Sequence, residues 1–177
     1  MKTEQCVFVE SSTEFDRLWE RSVVGVHALV LPVPDRAVLY FDSAIVATRR
    51  FFQFVRALQD YIGANRYSFA FVALRPDPFA YFHDNFDKYP AIVFGSDHNE
   101  SEYVSALAAD PGGSPADALA FNAERYVVFP DGDDWFVYAD EAKETAALSG
   151  SRGLVAFARE YLAGDVLQPS PAFKLVD

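Results

Sequence analysis

Residues 125–148 read RYVVFPDGDDWFVYADEAKETAAL. Three apolar runs arrive here in quick succession, and they predict strands at 125–129, 135–139 and about 144–148. The first two are joined by Pro130-Asp131-Gly132-Asp133-Asp134, a turn composition with Asp-Gly inside it. A hairpin cannot join parallel strands. A strictly doubly wound parallel sheet is therefore disfavoured. The class predicted is α+β: a mixed sheet of about six to eight strands with helices packed on it, ending in an antiparallel meander.

Working upstream, strands and helical periods alternate. Residues 5–9, 24–31, 37–41, 67–74 and 91–95 read as strands. Ser11 and Glu14 have capping-box spacing and open a helix over about 12–22, with Phe15, Leu18 and Trp19 at helical intervals. The strongest helix runs from Ser43 to Ile62. Ala47, Phe51, Phe54, Leu58 and Tyr61 form its apolar stripe, and Arg49, Gln53, Arg56 and Asp60 the opposite one. Ser43 suits its start, and Gly63 suits a left-handed end. Asp77-Pro78 places a capping carboxylate before a proline at the first helical position, with a helix to about Lys88. Asn99 and Glu102 form a second capping pair, and a short helix is expected near 116–122. Downstream of the meander, Leu154, Phe157, Ala158 and Tyr161 predict a last helix over about 152–163.

A chain of 177 residues with 51% hydrophobic side chains can bury one full core, so a single domain over 1–177 is expected. The stretch 110–115, DPGGSP, reads as a flexible surface loop. Cys6 is the only cysteine, which excludes an intramolecular disulfide and a cysteine-based zinc site. Its apolar neighbours make it a buried core residue. The longest apolar stretch, Val23 to Val33, is interrupted by His27 and Pro32 and is too short to span a bilayer. No secretory signal is read, and a cytoplasmic protein without membrane contact is expected.

The net charge of −11 is concentrated. Residues 77–145 hold fifteen Asp or Glu against three Lys or Arg, while the rest of the chain is close to neutral. A one-sign surface repels phosphates and attracts basic proteins. Nucleic-acid binding is therefore not expected. Arg49, Arg50, Arg56 and Arg66 are read as an exposed helix face that pairs with the acidic third, rather than as an anion site.

No phosphate loop, nucleophile elbow, C-x-x-C, H-E-x-x-H or EF-hand pattern occurs. Two His–carboxylate groups remain, His83-Asp84 with Asp87 and Asp97-His98 with Glu102, and they could hold a metal only if their elements met. They are read as solvated features, with no cofactor and no metal assigned. Asp131, Asp133, Asp134, Asp140 and Glu141 lack the ligand spacing of a calcium loop. With Trp135 and Phe136 beside them they resemble an aromatic anchor rimmed by acids.

The leading expectation is a small acidic, non-enzymatic binding protein for a basic protein partner, of the inhibitor or immunity type. That is an analogy of charge and size, since no family motif is recognised. Its contact residues would be Asp131, Asp133, Asp134, Trp135, Asp140 and Glu141. The alternative is a small enzyme or ligand-binding domain using the carboxylates of 131–141 or 83–102. A third possibility is acidity that serves solubility alone.

Overall fold

The computed structural model describes residues 7–30, 33–112 and 115–168. Six strands form one sheet: β1 (Arg36–Asp42), β2 (Phe69–Arg75), β3 (Ala91–Phe94), β4 (Arg125–Pro130), β5 (Trp135–Asp140) and β6 (Thr145–Ser151). Their order is β1-β6-β5-β4-β2-β3. The class is α+β, and β4-β5-β6 is the antiparallel C-terminal meander. It continues into β1, which returns to pair with β6 from Arg36↔Ser151 to Asp42↔Thr145. Every ladder is antiparallel, so the parallel pairs that a mixed sheet would include do not form among the described residues.

Two unequal layers cover this sheet. On one face lie α2 (Arg49–Ile62), α4 (Glu100–Leu107) and α6 (Arg152–Leu162). Phe51, Phe54, Leu58, Tyr103 and Leu154 pack there on Leu39, Phe71, Val128 and Val137. The other face carries one long helix, α1 (Ser12–Val30), whose Phe15, Leu18, Val26 and Leu29 sit on Val72, Val127, Phe129 and Phe136. Six strands at about 4.8 Å spacing are roughly 24 Å across. A helix about 10 Å wide cannot cover that. Clefts of about 490 and 260 Å³ consequently flank α1.

The largest departure from the sequence reading is here. Residues 24–30 were expected in a strand, but they continue α1. Buried positions Phe15, Leu18, Ser22, Val26 and Leu29 recur at three and four, the helical interval. The helix opens with the Glu14 amide donating to Ser11 Oγ at 3.3 Å. Once nucleated, it extends at little cost through β-branched residues. Gly25 lets its backbone lie against the Phe136 ring, where a Cβ would come within 2.1 Å of a ring carbon. The outward side of this half stays apolar: Val24 is 68% exposed and Val30 53%.

Smaller differences have local causes. Residues 7–9 make no strand, although Val9 exchanges backbone hydrogen bonds with Tyr89 and Ala91 beside β3. Cys6 lies outside the described residues, as do Gly113 and Ser114 of the 110–115 loop. The helix expected from Ser43 is split. Asp42 caps a 3₁₀ turn at Ser43–Ile45, and Thr48 caps α2. Gly63 ends α2 at φ +65°. Asp77 caps a π-helical turn, Pro78–His83, that runs into α3 (Asp84–Phe86). Asn99 and Glu102 form the expected capping box of α4. The helix near 116–122 is a 3₁₀ turn followed by α5 (Leu119–Asn122).

Arg56 leaves the exposed stripe assigned to it. Its guanidinium donates to the carbonyls of Tyr67 at 2.6 Å and Gly95 at 2.7 Å, and lies 4.7 Å from the Phe52 ring centroid. It clamps α2 to the loops before β2 and after β3. Tyr61, assigned to the buried stripe, is half exposed and stacks on Phe157.

Candidate functional site

The residues read as one contact surface occupy two ends of β5. Asp131, Asp133 and Asp134 are exposed in the turn before it, whereas Asp140 is its last residue and Glu141 follows. Six strand residues at about 3.3 Å each separate the groups by roughly 17–20 Å. The acidic third of the sequence is thus divided by the fold.

Arginines surround the turn. Arg21 Nη2 donates to the carbonyls of Pro130 at 2.8 Å and Gly132 at 2.9 Å, and stands 3.7 Å from the Asp133 carboxylate. Arg36 Nη1 donates to the Asp133 carbonyl at 3.2 Å. Arg17 and Arg66 share a cleft with Asp131 and Asp133. These cations come from sequence positions far from the turn and offset its charge.

The aromatic anchor expected here is absent from the surface. Trp135 is 1% exposed and Phe136 8%. Successive strand residues point to opposite faces. Trp135 packs into the α2–α6 layer, and Phe136 packs into the α1 layer, stacked on Phe129 with centroids 5.7 Å apart. Asp140 is also buried, at 2% exposure. Its Oδ2 lies 3.3 Å from Arg125 Nε, and its Oδ1 accepts the Lys143 amide. Of the six contact residues, Asp131, Asp133, Asp134 and Glu141 remain at the surface.

The opposite end of the sheet presents a more coherent acidic surface. The Glu141 amide donates to the Glu124 carbonyl at 2.9 Å, the Glu144 amide to the Glu141 carbonyl at 3.1 Å, and the Ser43 amide to the Glu144 carbonyl at 3.4 Å. Backbone bonds thereby hold Glu124, Glu141 and Glu144, all exposed, in one row beside Asp42. Three bases adjoin the row: Lys143 within it, Arg125 next to Glu124, and Arg75, whose carbonyl accepts the Glu124 amide at 2.8 Å. Glu141 is fixed further: its carboxylate accepts the Tyr126 hydroxyl at 2.5 Å and the Ser43 hydroxyl at 3.3 Å.

Helix α5 adds an aromatic to this end. Leu119, Ala120 and Ala123 line a small cavity with Ser43, Tyr126 and Glu141. Phe121, on the same turn, points outward and is 73% exposed, the highest value among the exposed large hydrophobic side chains described. Asp117, which accepts the Tyr81 hydroxyl at 2.8 Å, and Glu124 flank it in sequence. Phe121, Asp117 and Glu124 escaped the sequence reading. A four-residue helix is too short for a periodic stripe to separate an inward Leu119 from an outward Phe121.

Ser43 donates its hydroxyl to the Glu141 carboxylate, and Lys143 is two residues from Glu141 in the same turn. The two His–carboxylate groups stay apart: His83 stacks on Tyr89, before β3, and His98 accepts the Gly95 amide after it. Among the described residues no three His, Cys, Asp or Glu side chains are grouped to hold a metal ion. No helix among them is long and apolar enough to cross a membrane.

Burial pushes the Tyr126 hydroxyl well above its ordinary range, and the Glu141 charge adds to this. Burial alone does the same to Tyr103, whose hydroxyl donates to the Val46 carbonyl. Both protons are held more tightly in the native state than in the unfolded chain, where tyrosine ionises near pH 10. Their stabilisation is therefore full below about pH 10 and is lost as pH rises further. Urea unfolding at pH 8, 10 and 11 should show this fall, and Tyr126→Phe should flatten it. An unchanged slope in the variant would count against the buried Tyr126–Glu141 bond.

The chain matches no protein-family model, no curated protein and no solved structure.

Proposed function

We propose that this protein is a non-enzymatic binding protein for a basic protein partner, acting in the cytoplasm as an inhibitor or immunity-type protein would. The contact surface in this reading is the sheet end carrying Phe121, Asp117, Glu124, Glu141 and Glu144. The observation that supports it is an aromatic side chain 73% exposed on α5, three residues before Glu124, whose carbonyl begins the backbone row to Glu141 and Glu144. An exposed ring suits the centre of an interface, and a charged rim suits its edge. The turn Asp131–Asp134 is a weaker choice, because Arg21 and Arg36 are bound to it.

The two parts of the surface should act on different rate constants. Exposed rim charges steer association and are screened by salt, with a Debye length of about 10 Å at 0.1 M and about 3 Å at 1 M. Once the partner is isolated, the Glu124→Lys, Glu144→Lys double variant should associate about tenfold more slowly at low salt and converge on wild type near 1 M. Phe121→Ala should leave association alone and speed dissociation about 30-fold, the equivalent of about 2 kcal/mol. Surface plasmon resonance measures both. Wild-type association by the double variant at low salt would refute the acidic-surface reading.

A further inference from the structure

We infer a second, independent site: the 260 Å³ cleft between α1 and the β2–β4–β5 part of the sheet binds a small aromatic carboxylate. The cleft lies on the α1 face and does not rest on the strand-end surface. Its walls are apolar, formed by Trp19 and Val26 of α1, Leu74 of β2 and Tyr138 of β5. Its volume falls just below the roughly 300–1,000 Å³ of sites for drug-sized ligands, so it suits one ring with a short side chain.

One cationic side chain that lines the cleft is left without a partner. Arg75, His27 and Arg125 line it, with Asp77 as the one acid. Asp77 Oδ1 is already committed to the amides of Phe79 and Ala80, at 2.9 and 2.7 Å. Arg125 is balanced by Asp140. Arg75 has no ion-pair or hydrogen-bond partner for its side chain among the described residues, and neither has His27. A guanidinium presents a planar fork that matches a carboxylate in two bonds. An uncommitted guanidinium, with the His27 imidazole beside it in the lining of an apolar cleft, therefore complements an anion carried on a ring.

Phenylacetate and its neutral counterpart 2-phenylethanol separate the charge from the apolar contact. Trp19 lines the cleft while Trp135 is buried in the other layer, so their indole N–H resonances report on two places in one spectrum. Phenylacetate should shift the Trp19 resonance and leave that of Trp135 in place. The alcohol should bind at least tenfold more weakly. Arg75→Gln, at an exposed position, should weaken phenylacetate at least tenfold and leave the alcohol unchanged, with an unaltered melting temperature. Leu74→Trp, which fills the cleft, should abolish binding of both. The inference is overturned if phenylacetate leaves Trp19 unmoved, if acid and alcohol bind alike, or if Arg75→Gln binds the acid as wild type does.

Discussion

Replacing Phe54 by Ala is expected to destabilise the protein by about 3–5 kcal/mol, the cost of lost burial plus the cavity left behind. Phe54 is fully buried at the middle of α2, 5.9 Å from the Phe51 ring and 5.4 Å from that of Tyr161. Its ring joins α2 to α6, so no single neighbour can collapse into the space. Arg49→Ala, at an exposed position of the same helix, should change stability by about 0.5 kcal/mol or less. Arg56→Ala should fall between them, at about 2–3 kcal/mol, because it strips charged donors from the half-buried carbonyls of Tyr67 and Gly95. Urea denaturation of the three variants gives the ranking. Equal losses for Phe54→Ala and Arg49→Ala would mean that α2 buries a different face.

The second large effect reverses an ordinary rule. Alanine in place of glycine within an exposed helix stabilises by about 1 kcal/mol, since glycine loses more backbone freedom on folding. Gly25→Ala should instead destabilise by about 2–3 kcal/mol. The added Cβ would lie 2.1–2.5 Å from three carbons of the Phe136 ring, and that ring is stacked on Phe129. Something must move, and overpacking of this kind costs about 1–3 kcal/mol or more. The double variant Gly25→Ala, Phe136→Leu should recover part of the loss. Thermal or urea unfolding of the single variant decides the matter: a gain in stability would show that α1 does not press on β5 at this point.

These two positions also mark how far the sequence could be read. The α2 stripe was legible because Phe51, Phe54 and Leu58 repeat at three and four and polar residues fill the other side. The hairpin at 130–134 was legible because Asp-Gly between two apolar runs has few other solutions. The second half of α1 was not. VVGVHAL is apolar on every side and rich in valine, and a short run of that kind has no period to separate helix from strand. Only its contacts decide, through Val26 and Leu29 facing the sheet.

The spatial grouping of the acidic residues was only partly legible. Charge counted along the chain showed fifteen acids in the middle third, but it could not show that β5 would set Asp131, Asp133 and Asp134 at one end and Asp140 and Glu141 at the other. Nor could it show that Arg21 and Arg36, distant in sequence, would cover one of the two groups. Trp135 and Phe136 looked like an anchor beside acids, yet a strand between two layers buries both of its faces. The most exposed ring among the described residues is Phe121, in a helix too short to have a readable face.

The most direct test of the binding reading uses a photoreactive side chain. Benzoylphenylalanine is placed at Phe121, and in a second protein at Tyr61, which is 50% exposed on α2 and stacked on Phe157. Both are irradiated in extract of the native source at low salt, and the adducts are identified by mass spectrometry. The account predicts one dominant adduct at position 121, with a protein of strongly basic composition, that is lost at 1 M salt and does not form at position 61. An acidic partner at position 121, or the same adduct forming from position 61 and not from 121, would contradict it.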